Sequence, residues 1–330
     1  MKKNIIITAG PTNERIDSVM KITNMSTGAL GSVLAETLLE DKEKEIGTIY
    51  YISTKMSRKP RIESEKIKYI TIESTQDLID TLEEIFKNTK IDIIIHSSAV
   101  GDYAGKYVIR AEELIEEIIE EIHKAESIEE ITSEKLMKIF ENPKSICNND
   151  TKISSYEPHL MTMLQLTPKV IGKIKKMSPE VTLVGFKLLD GVSKEELYKV
   201  ASKLREKNNA DYIVANDLSK IGNGKHWAMI LNKKGIVTEC NTKKEIAKAL
   251  EEILFWLNFS KPKEPKWDVK ITTHLGSLDI KIIALQYYQL YNKRLSLNKK
   301  VKLIIILPKK GKVKKSENKK LKKILRKSKK

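Results

Sequence analysis

The chain has 330 residues and a formal net charge of +17 at pH 7, but this charge is unevenly distributed. Residues 261–330 contain 23 Lys and Arg against 4 Asp and Glu, so this segment carries +19 and the first 260 residues carry −2. The basic average therefore describes an extension and says little about the main domain. The two cysteines have no CxxC spacing, which argues against a disulfide framework and against a zinc site.

The N-terminus carries two lysines and a short apolar run at residues 5–7, after which the sequence turns polar in TAGPTNER. This run is too short for a secretory signal peptide. Other apolar stretches, such as LIIIL at residues 303–307, fall far short of the about 20 residues that span a bilayer. We therefore expect a soluble protein of the reducing cytoplasm.

Short runs rich in β-branched residues predict strands, and amphipathic patterns between most of them predict helices. The predicted strands are NIIIT, TIYYIS, KYITI, IDIIIHSSAV, VTLVGF and DYIVAN. The predicted helices cover residues 29–40, 75–88, 167–176 and 193–208. Near-continuous apolar strands that alternate with helices indicate a parallel sheet covered on both faces. The sequence thus predicts an α/β fold with a doubly wound, Rossmann-like, mostly parallel sheet.

Two stretches depart from this alternation. Residues 104–150 are rich in glutamate, with isoleucine at helical spacing, and predict an inserted, solvent-facing helix and loop. The segments HWAMILN and GIVTEC, joined by KKG, predict a β-hairpin, followed by a helix at about residues 243–258. We expect residues 1–260 to form the α/β domain and residues 261–330 to form a flexible lysine-rich extension.

Ligands of open α/β sheets bind outside the carboxyl ends of the strands. The segments that follow four of the predicted strands are AGPTNE, HSSAVGDY, GFKLLD and ANDLS, and all are polar or contain glycine. The sequence therefore predicts a binding site at this edge of the sheet. We expect Asn216 and Asp217, in the last of these segments, to shape a loop beside the site and to take no part in catalysis.

The start of helix 29–40 is a candidate anion site, because free backbone N–H groups at a helix N-terminus attract phosphate. It follows Ser26, Thr27 and Gly28, and glycine at 28 and 31 leaves room for a phosphate. The same residues admit a plainer interpretation, in which Ser26 or Thr27 caps the helix and the glycines relieve packing. The GxGxxG fingerprint of NAD(P)-dependent oxidoreductases is missing after the first strand, which disfavours that class.

Several of these segments together resemble the phosphopantothenoylcysteine synthetase family, the ligases of coenzyme A biosynthesis. The matching segments, in family order, are ITAGPTNERIDSVMKITNMSTGALG, IIIHSSAVGDY, TKISS, LTPKVIGKIK, VGFKLL and ADYIVANDLS. The resemblance covers about residues 3–255 and is closest to the short, monofunctional bacterial form. Several matching segments in the family's order indicate the family more specifically than any one segment does.

The resemblance implies a reaction in two steps. A nucleoside triphosphate, CTP in most bacterial members or ATP in eukaryotic ones, reacts with 4'-phosphopantothenate to give an acyl-nucleotidylate and pyrophosphate. The amine of L-cysteine then displaces the nucleoside monophosphate and forms an amide. Mg²⁺ accompanies the triphosphate, and the protein is a homodimer in which the hairpin beyond ANDLS acts as the dimer-forming flap.

The resemblance also assigns residues, and it implies catalytic roles for Asn24 and Lys152. The carboxamide of Asn24 can donate to the carboxylate or carbonyl of phosphopantothenate and accept from an incoming amine. Lys152 matches a lysine that neutralises phosphate charge, although Ser154 and Ser155 replace later lysines of the same family word. The implied substrate-binding residues are Asn24, Ser26, Thr27 and Gly28. The implied nucleotide-binding residues are Gly10, Ser98, Ala99, Asp102, Thr167, Pro168, Lys169, Phe186, Lys203 and Lys207.

In this assignment small residues let the nucleotide lie against the backbone at Ser98 and Ala99, and Asp102 accepts from the base or ribose. Thr167, Pro168 and Lys169 are expected to open a helix whose amides face phosphate.

The basic extension leaves a second class of function open. A segment of +19 binds polyanions at low salt through counterion release, so a nucleic-acid-binding module, or acidic-membrane binding, is the alternative. The extension contains no recognisable RNA- or DNA-reading motif, which favours an extension without a selected partner. The sequence therefore predicts a ligase first and a binding module second.

Overall fold

The computed structural model describes residues 2–255, so the predicted extension at 261–330 and the last residues of the predicted helix 243–258 lie outside the described residues. The described strands are β1 Lys3–Ala9, β2 Asn13–Arg15, β3 Lys21–Thr23, β4 Ile46–Ser53, β5 Ile67–Thr71, β6 Ile93–His96, β7 Tyr103–Arg110, β8 Leu160–Leu166, β9 Thr182–Leu189, β10 Tyr212–Gly222, β11 Lys225–Asn232 and β12 Gly235–Cys240. The described α-helices are α1 Ala29–Lys42, α2 Thr75–Asn88, α3 Ala111–Lys124, α4 Ser133–Glu141, α5 Ile171–Met177, α6 Lys194–Lys207 and α7 Lys243–Phe255. The division into two domains stays a prediction.

The central sheet has eight strands in the order β12-β11-β10-β9-β6-β1-β4-β5. The six strands from β10 to β5 are parallel to their neighbours, whereas β11 and β12 form an antiparallel hairpin at one edge. Counted along the chain, the parallel strands follow the doubly wound order 3-2-1-4-5-6, in which the order reverses between the first and the fourth strand. The predicted Rossmann-like fold class is confirmed.

Helices cover both faces of this sheet. Helices α1 and α7 pack on one face with residues such as Ile5 and Ile7, and α2, α5 and α6 pack on the other face with Ile6. These three isoleucines of β1 have no exposed surface, which explains why the strand is apolar at three consecutive positions. None of the helices in residues 2–255 combines the length and apolar character that a membrane crossing needs.

Of the four helices predicted up to residue 208, three match within two residues at each end, as α1, α2 and α6, and one begins late. Helix α2 has the predicted bounds because Ser74 accepts from the Asp77 amide while the Asp77 carboxylate accepts from the Ser74 amide, a complete capping box. Helix α5 was expected from residue 167 but begins at Ile171. The preceding turn is used differently, since the Thr167 amide donates to the Asp102 carbonyl at 3.0 Å.

The prediction for residues 104–150 was correct for α3 and wrong for the residues before it. Tyr103–Arg110 forms β7, which pairs antiparallel with β8, more than 45 residues further along the chain. Tyr107, Val108 and Ile109 are buried, so this strand belongs to a small core of its own. Pairing over such a separation leaves no local signal, and the glutamate-rich helix dominated the pattern.

The predicted hairpin is confirmed as β11 and β12, which extend the main sheet. The expectation that β10 ends at Asn216 was wrong, because the strand continues to Gly222. The Asp217 carboxylate accepts from the amides of Gly191 and Ser219 at 2.9 and 3.0 Å and so fixes the turn after β9. Its predicted architectural role is consistent with these contacts.

Candidate active site

The candidate site lies where β1 and β6 separate at the carboxyl edge, the position at which the strand order reverses. The chain segments that leave these two strands bond to each other. The Ala99 amide donates to the Gly10 carbonyl at 2.9 Å, and Pro11 and Ala99 form an isolated parallel bridge. Two segments predicted to line the site, AGPTNE and HSSAVGDY, are therefore joined at the switch point.

Two glycines shape the floor beside the switch point. Gly10 and Gly28 adopt φ values of +78° and +73°, which favour glycine. A Cβ atom on Gly10 would lie 1.9 Å from the Ser57 hydroxyl, and one on Gly28 would lie 3.1 Å from the Gly10 nitrogen. Ser57 belongs to the turn after β4, so three post-strand segments meet here without room for side chains.

Helix α1 starts directly above this floor, with Gly28 as its N-cap and without a side-chain cap. Gly28 itself has no side chain, but the Thr27 hydroxyl accepts from the Ala29 amide at 3.4 Å and the Ser26 hydroxyl accepts from the Gly28 amide at 3.5 Å, so the capping interpretation is borne out in part. The amides of Leu30 and Gly31 in the same turn have no acceptor within residues 2–255 and can meet an anion. Gly31 follows the plainer of the two interpretations, in which it relieves packing. A Cβ on Gly31 would lie 2.4 Å from the Cβ of Ala9, so Gly31 lets α1 pack against β1.

Asn24 reaches across the site from the end of the β2–β3 hairpin. Its Nδ2 donates to the carbonyls of Ala99 and Val100 at 3.0 and 3.2 Å. Both neighbours are acceptors, so they fix which end of the carboxamide carries the N–H groups. Its Oδ1 accepts no hydrogen bond from residues 2–255 and lies on an exposed side chain.

Asp102 and Lys169 form an ion pair of 2.5 Å between the segment after β6 and the turn before α5. The side chains are 71% and 58% exposed, so the pair is accessible to a ligand. The Thr167 hydroxyl donates to the Gly101 carbonyl, and with the Thr167 amide it ties the two segments together. The expected helix start at Thr167 is therefore wrong, since α5 begins at Ile171 and the Thr167 amide is already bonded, and phosphate binding by the rest of this turn stays a prediction.

Lys152 is exposed, in the segment between α4 and β8. The next residue, Ile153, is buried, and its amide donates to Asp17 Oδ2 at 3.0 Å. Asp17 lies in the turn of the same β2–β3 hairpin that leads to Asn24. The two residues expected to be catalytic are thus carried by segments that are bonded to each other.

Phe186 and the two predicted lysines of α6 lie in different places. Phe186 is half-buried on β9. It follows Gly185, which pairs with His96, the last residue of β6. Lys203 and Lys207 are exposed in the last two turns of α6, which returns from the carboxyl edge to the start of β10. The structure does not bring these lysines to the switch point, and their role stays a prediction that this separation disfavours.

The sequence reading missed a buried polar network beneath the site. The Glu14 carboxylate accepts from the amide and the hydroxyl of Thr75 at 2.9 and 2.6 Å. The Thr12 hydroxyl lies 3.2 Å from the Thr75 hydroxyl and accepts from the Gly101 amide at 2.9 Å. The signal in the sequence was the polar segment PTNE, which follows the buried strand β1 and Gly10. In this region only Gly10 was named as a candidate site residue.

The charges at this edge suit an anionic ligand. Amides of the first turn of α1 and the cation Lys169 lie at this edge, and Lys152 lies beside Ile153, which bonds to Asp17 in the turn of the β2–β3 hairpin. Within residues 2–255, no group of three or more His, Cys, Asp or Glu is arranged to hold a metal ion.

A family model agrees with this geometry. The model of the DNA/pantothenate metabolism flavoprotein C-terminal domain matches residues 1–123 and 143–255. The chain belongs to this family. The match includes every segment that forms the switch point, and the break at residues 124–142 contains α4, which lies outside the site. The family expected from the sequence words is thereby confirmed.

Individual proteins show the same relationship. The coenzyme A biosynthesis bifunctional protein CoaBC of Thermococcus kodakarensis is 29% identical over 231 residues, which are 70% of this chain and 45% of that protein. The chain spans about half the length of the curated relatives it matches. A crystal structure of the DNA/pantothenate metabolism flavoprotein from Streptococcus pneumoniae is 33% identical, covers 76% of this chain and 97% of that one, and has a TM-score of 0.59.

A more distant structure shares the fold alone. It is a histidine-to-alanine mutant of Cab2, described as a complex with phosphopantothenate-cysteine. It is 14% identical to this chain, covers 78% of this chain and 89% of its own, and has a TM-score of 0.51.

Proposed function

We propose that this chain is a ligase that joins 4'-phosphopantothenate to L-cysteine through an acyl-nucleotidylate. Family membership and the relatives named for coenzyme A biosynthesis support this assignment. The Cab2 structure is described as holding phosphopantothenate-cysteine, and we extend that product to this chain. The observation that carries the proposal is the contact of Asn24 with the Ala99 and Val100 carbonyls at the switch point.

In the first step, a carboxylate oxygen of phosphopantothenate attacks the α-phosphorus of the nucleotide. A mixed anhydride forms and pyrophosphate leaves. This step needs charge screening and alignment more than a strong base, because both reactants are anions. The free amides at the start of α1 and the ammonium groups of Lys152 and Lys169 supply positive charge for the phosphates and for departing pyrophosphate.

In the second step, the cysteine amine attacks the acyl carbon, loses a proton and displaces the nucleoside monophosphate. Asn24 is suited to this step, because its N–H groups are held by two carbonyls and its Oδ1 is left as an acceptor. An acceptor beside the acyl carbon orients the amine and stabilises the positive charge that develops on its nitrogen. The Asn24 carboxamide therefore acts on the amine through its oxygen.

The finer assignments belong to the same proposal. We propose CTP as the preferred nucleotide, Mg²⁺ as its counterion, a homodimer as the assembly and the cytoplasm as the location. Ser98 and Ala99 are half-buried and lie where the nucleotide would contact the backbone, Gly10 is buried and supports Ala99 through its carbonyl, and Asp102 is an acceptor for the base or ribose. Ser26, Thr27 and Gly28 lie at the start of α1, where a phosphate of either substrate would meet the helix dipole.

The test is pyrophosphate release by the full chain with 4'-phosphopantothenate, comparing CTP with ATP, each with and without cysteine. We expect release that depends on phosphopantothenate, and steady-state amide formation only when cysteine is present. The same assay on residues 1–260 addresses the basic extension, since a ligase keeps its turnover without it. Release that ignores phosphopantothenate, or binding of NAD(P) in place of a triphosphate, would refute the assignment.

A further inference from the structure

Asp17 is a buried carboxylate, 2% exposed, that the proposed reaction does not yet use. Its Oδ1 accepts from the amides of Val19 and Met20 at 2.7 and 2.6 Å, which closes the turn between β2 and β3. Its Oδ2 accepts from the Ile153 amide at 3.0 Å, across a separation of 136 residues. One side chain therefore joins the hairpin that leads to Asn24 and the segment that carries Lys152.

The second oxygen is not required for the hairpin turn. A short side chain with one acceptor is enough for such a turn, and Asn serves there as Asp does, with Ser a weaker substitute. The bond to Ile153 fixes the residue next to Lys152, whereas the nearest other contacts of this segment with the rest of the fold lie five residues from Lys152 on either side, at the Cys147 amide and at the bidentate pair of Arg110 and Glu157. Asp17 is therefore the anchor nearest to Lys152.

The electrostatics agree with this arrangement. Hydrogen bonds from backbone amides, that of Met20 first, hold the pKa of Asp17 below its usual range against the opposing effect of burial, and the charge of Lys152 adds to the lowering. The carboxylate is thus ionised and faces a partly positive surrounding. A neutral side chain of the same size would lose the attraction to Lys152 and could not accept the Ile153 amide with the atom that now does so.

We propose that Asp17 is a positioning residue that sets Lys152 relative to Asn24, so that charge neutralisation and amine attack occur at one acyl group. This inference rests on the proposed ligase function. Asp17 does not touch the substrates in this scheme, and it acts through the segment of Lys152. A displacement of a catalytic group by about 1 Å costs on the order of 100-fold in rate, which is the size of effect expected.

The test is a double-mutant cycle on turnover in the full chain, with the wild type, Asp17→Asn, Lys152→Gln and the double variant. Asp17→Asn keeps one oxygen for the hairpin turn and removes the charge and the acceptor that Ile153 uses. We expect Asp17→Asn to lower kcat on the order of 100-fold in the wild type and less than about 3-fold in Lys152→Gln. A purely structural role would give the same factor in both backgrounds.

Asp211→Asn is the matched control. Asp211 also accepts a backbone amide, that of Leu183 at 2.9 Å, and faces a lysine, but it lies where β10 begins, at the opposite edge of the sheet. We expect this variant to keep kcat within about 2-fold, with a urea midpoint lowered to a similar degree as that of Asp17→Asn. Equal losses of kcat in the two variants would overturn the inference.

The outcomes separate the two proposals. A wild-type chain without phosphopantothenate-dependent pyrophosphate release refutes the ligase assignment itself. An active wild type in which the effects of Asp17→Asn and Lys152→Gln multiply refutes only the positioning role. Asp17→Ser, whose hydroxyl can still accept in the turn, is the second variant if Asp17→Asn fails to fold, and loss of folding in both would assign Asp17 to the fold alone.

Discussion

The two edges of the central sheet use polar side chains in opposite ways. At the amino edge, carboxylates cap the beginnings of strands. Asp92 accepts from the Asn4 amide at 2.8 Å, and Asp211 accepts from the Leu183 amide while it pairs with Lys175 at 2.9 Å. The side chains at this edge are therefore occupied with holding strands in register.

At the carboxyl edge, the functional side chains are exposed and only partly bonded. Asn24 leaves its oxygen without a partner from residues 2–255, and the pair of Asp102 and Lys169 is open to solvent. The tightly packed Gly10, which leaves no room for a side chain, and the buried network of Glu14 lie one layer deeper. The comparison indicates that stability depends on the amino edge and chemistry on the carboxyl edge, with a rigid layer beneath the latter.

The largest expected effect at the carboxyl edge is that of Asn24→Asp. A carboxylate would place negative oxygen against the Ala99 and Val100 carbonyls, so the side chain would turn away and lose its orientation. We expect turnover to fall by about 10²- to 10³-fold, the cost of one well-placed polar group in a transition state. Stopped assays should show a burst of pyrophosphate and accumulation of the acyl-nucleotidylate.

The thermal midpoint of Asn24→Asp serves as its control. Asn24 is exposed and its loss leaves no buried group unpaired, so the midpoint should stay within a few degrees of the wild type. A variant with full turnover would contradict the role given to the carboxamide. A thermal midpoint far below that of the wild type would show that Asn24 stabilises the fold.

Much of this contrast was predictable from the sequence, because it follows local patterns. The apolar strands, the helix with its Ser74 capping box and the polar segments after strands are all local signals, and they placed Gly10 and Asp102 at one edge, whereas Asn24 was assigned through the family resemblance. The strand β7 was missed, since its partner β8 is remote. The role of Asp17 was missed for the same reason, because its bond to Ile153 joins distant segments.

Gly31 and Pro168 show a second limit. The sequence left two roles open for Gly31, room for a phosphate or relief of packing, and the second is correct, because its neighbour is the Ala9 side chain, a contact that only the packing of α1 on β1 creates. Pro168 was placed in the first turn of a helix that begins at Ile171. The residue types Gly and Pro indicated a constraint on space or backbone conformation at these positions. Tertiary contacts determined which constraint it is.

His96 lies at the boundary between the deeper layer and the site, and it predicts a pH dependence of stability. Burial lowers its pKa to about 4, and its Nδ1 lies 2.9 Å from the Thr8 hydroxyl. The unfolded chain takes up the proton near pH 6.5 and the folded chain does not, so stability falls as the pH drops from about 6.5 towards 4. Between pH 7.5 and 5 the loss should be about 2 kcal/mol.

Urea unfolding of the wild type and of His96→Asn at these two pH values measures that contribution. His226, whose pKa is also lowered to about 4, is present in both proteins, so its contribution cancels. Carboxylates with lowered pKa values, such as Asp217, lose their stabilising effect only at more acidic pH. An unchanged pH slope in His96→Asn would show that the ring is not desolvated in the fold.

At the amino edge, Asp92→Ala should lower the free energy of unfolding by about 1.5 kcal/mol, because the Asn4 amide loses its acceptor. The turnover of the folded protein should be unchanged, since β1 starts there and the site lies at its other end. Urea unfolding and pyrophosphate release on the same samples test both parts. A drop in kcat with unchanged stability would contradict the proposal that side chains at the amino edge stabilise the fold and do not act in the reaction.

The smallest expected effect is that of Asp102→Asn. Its side chain is 71% exposed, so loss of the pair with Lys169 should change stability by less than about 1 kcal/mol. An acceptor for the base or ribose binds the nucleotide equally in the ground state and the transition state, so its weakening raises KM and leaves kcat alone. We expect KM for CTP to rise roughly 5-fold, which is about 1 kcal/mol.

Lys169→Met is the matched variant, because it also breaks the pair but removes a phosphate-facing charge, and its effect should extend to kcat. If Asp102→Asn instead lowers kcat with KM unchanged, then Asp102 acts on the reacting groups in the transition state. Its place would then be beside the acyl centre and not beside the base or ribose.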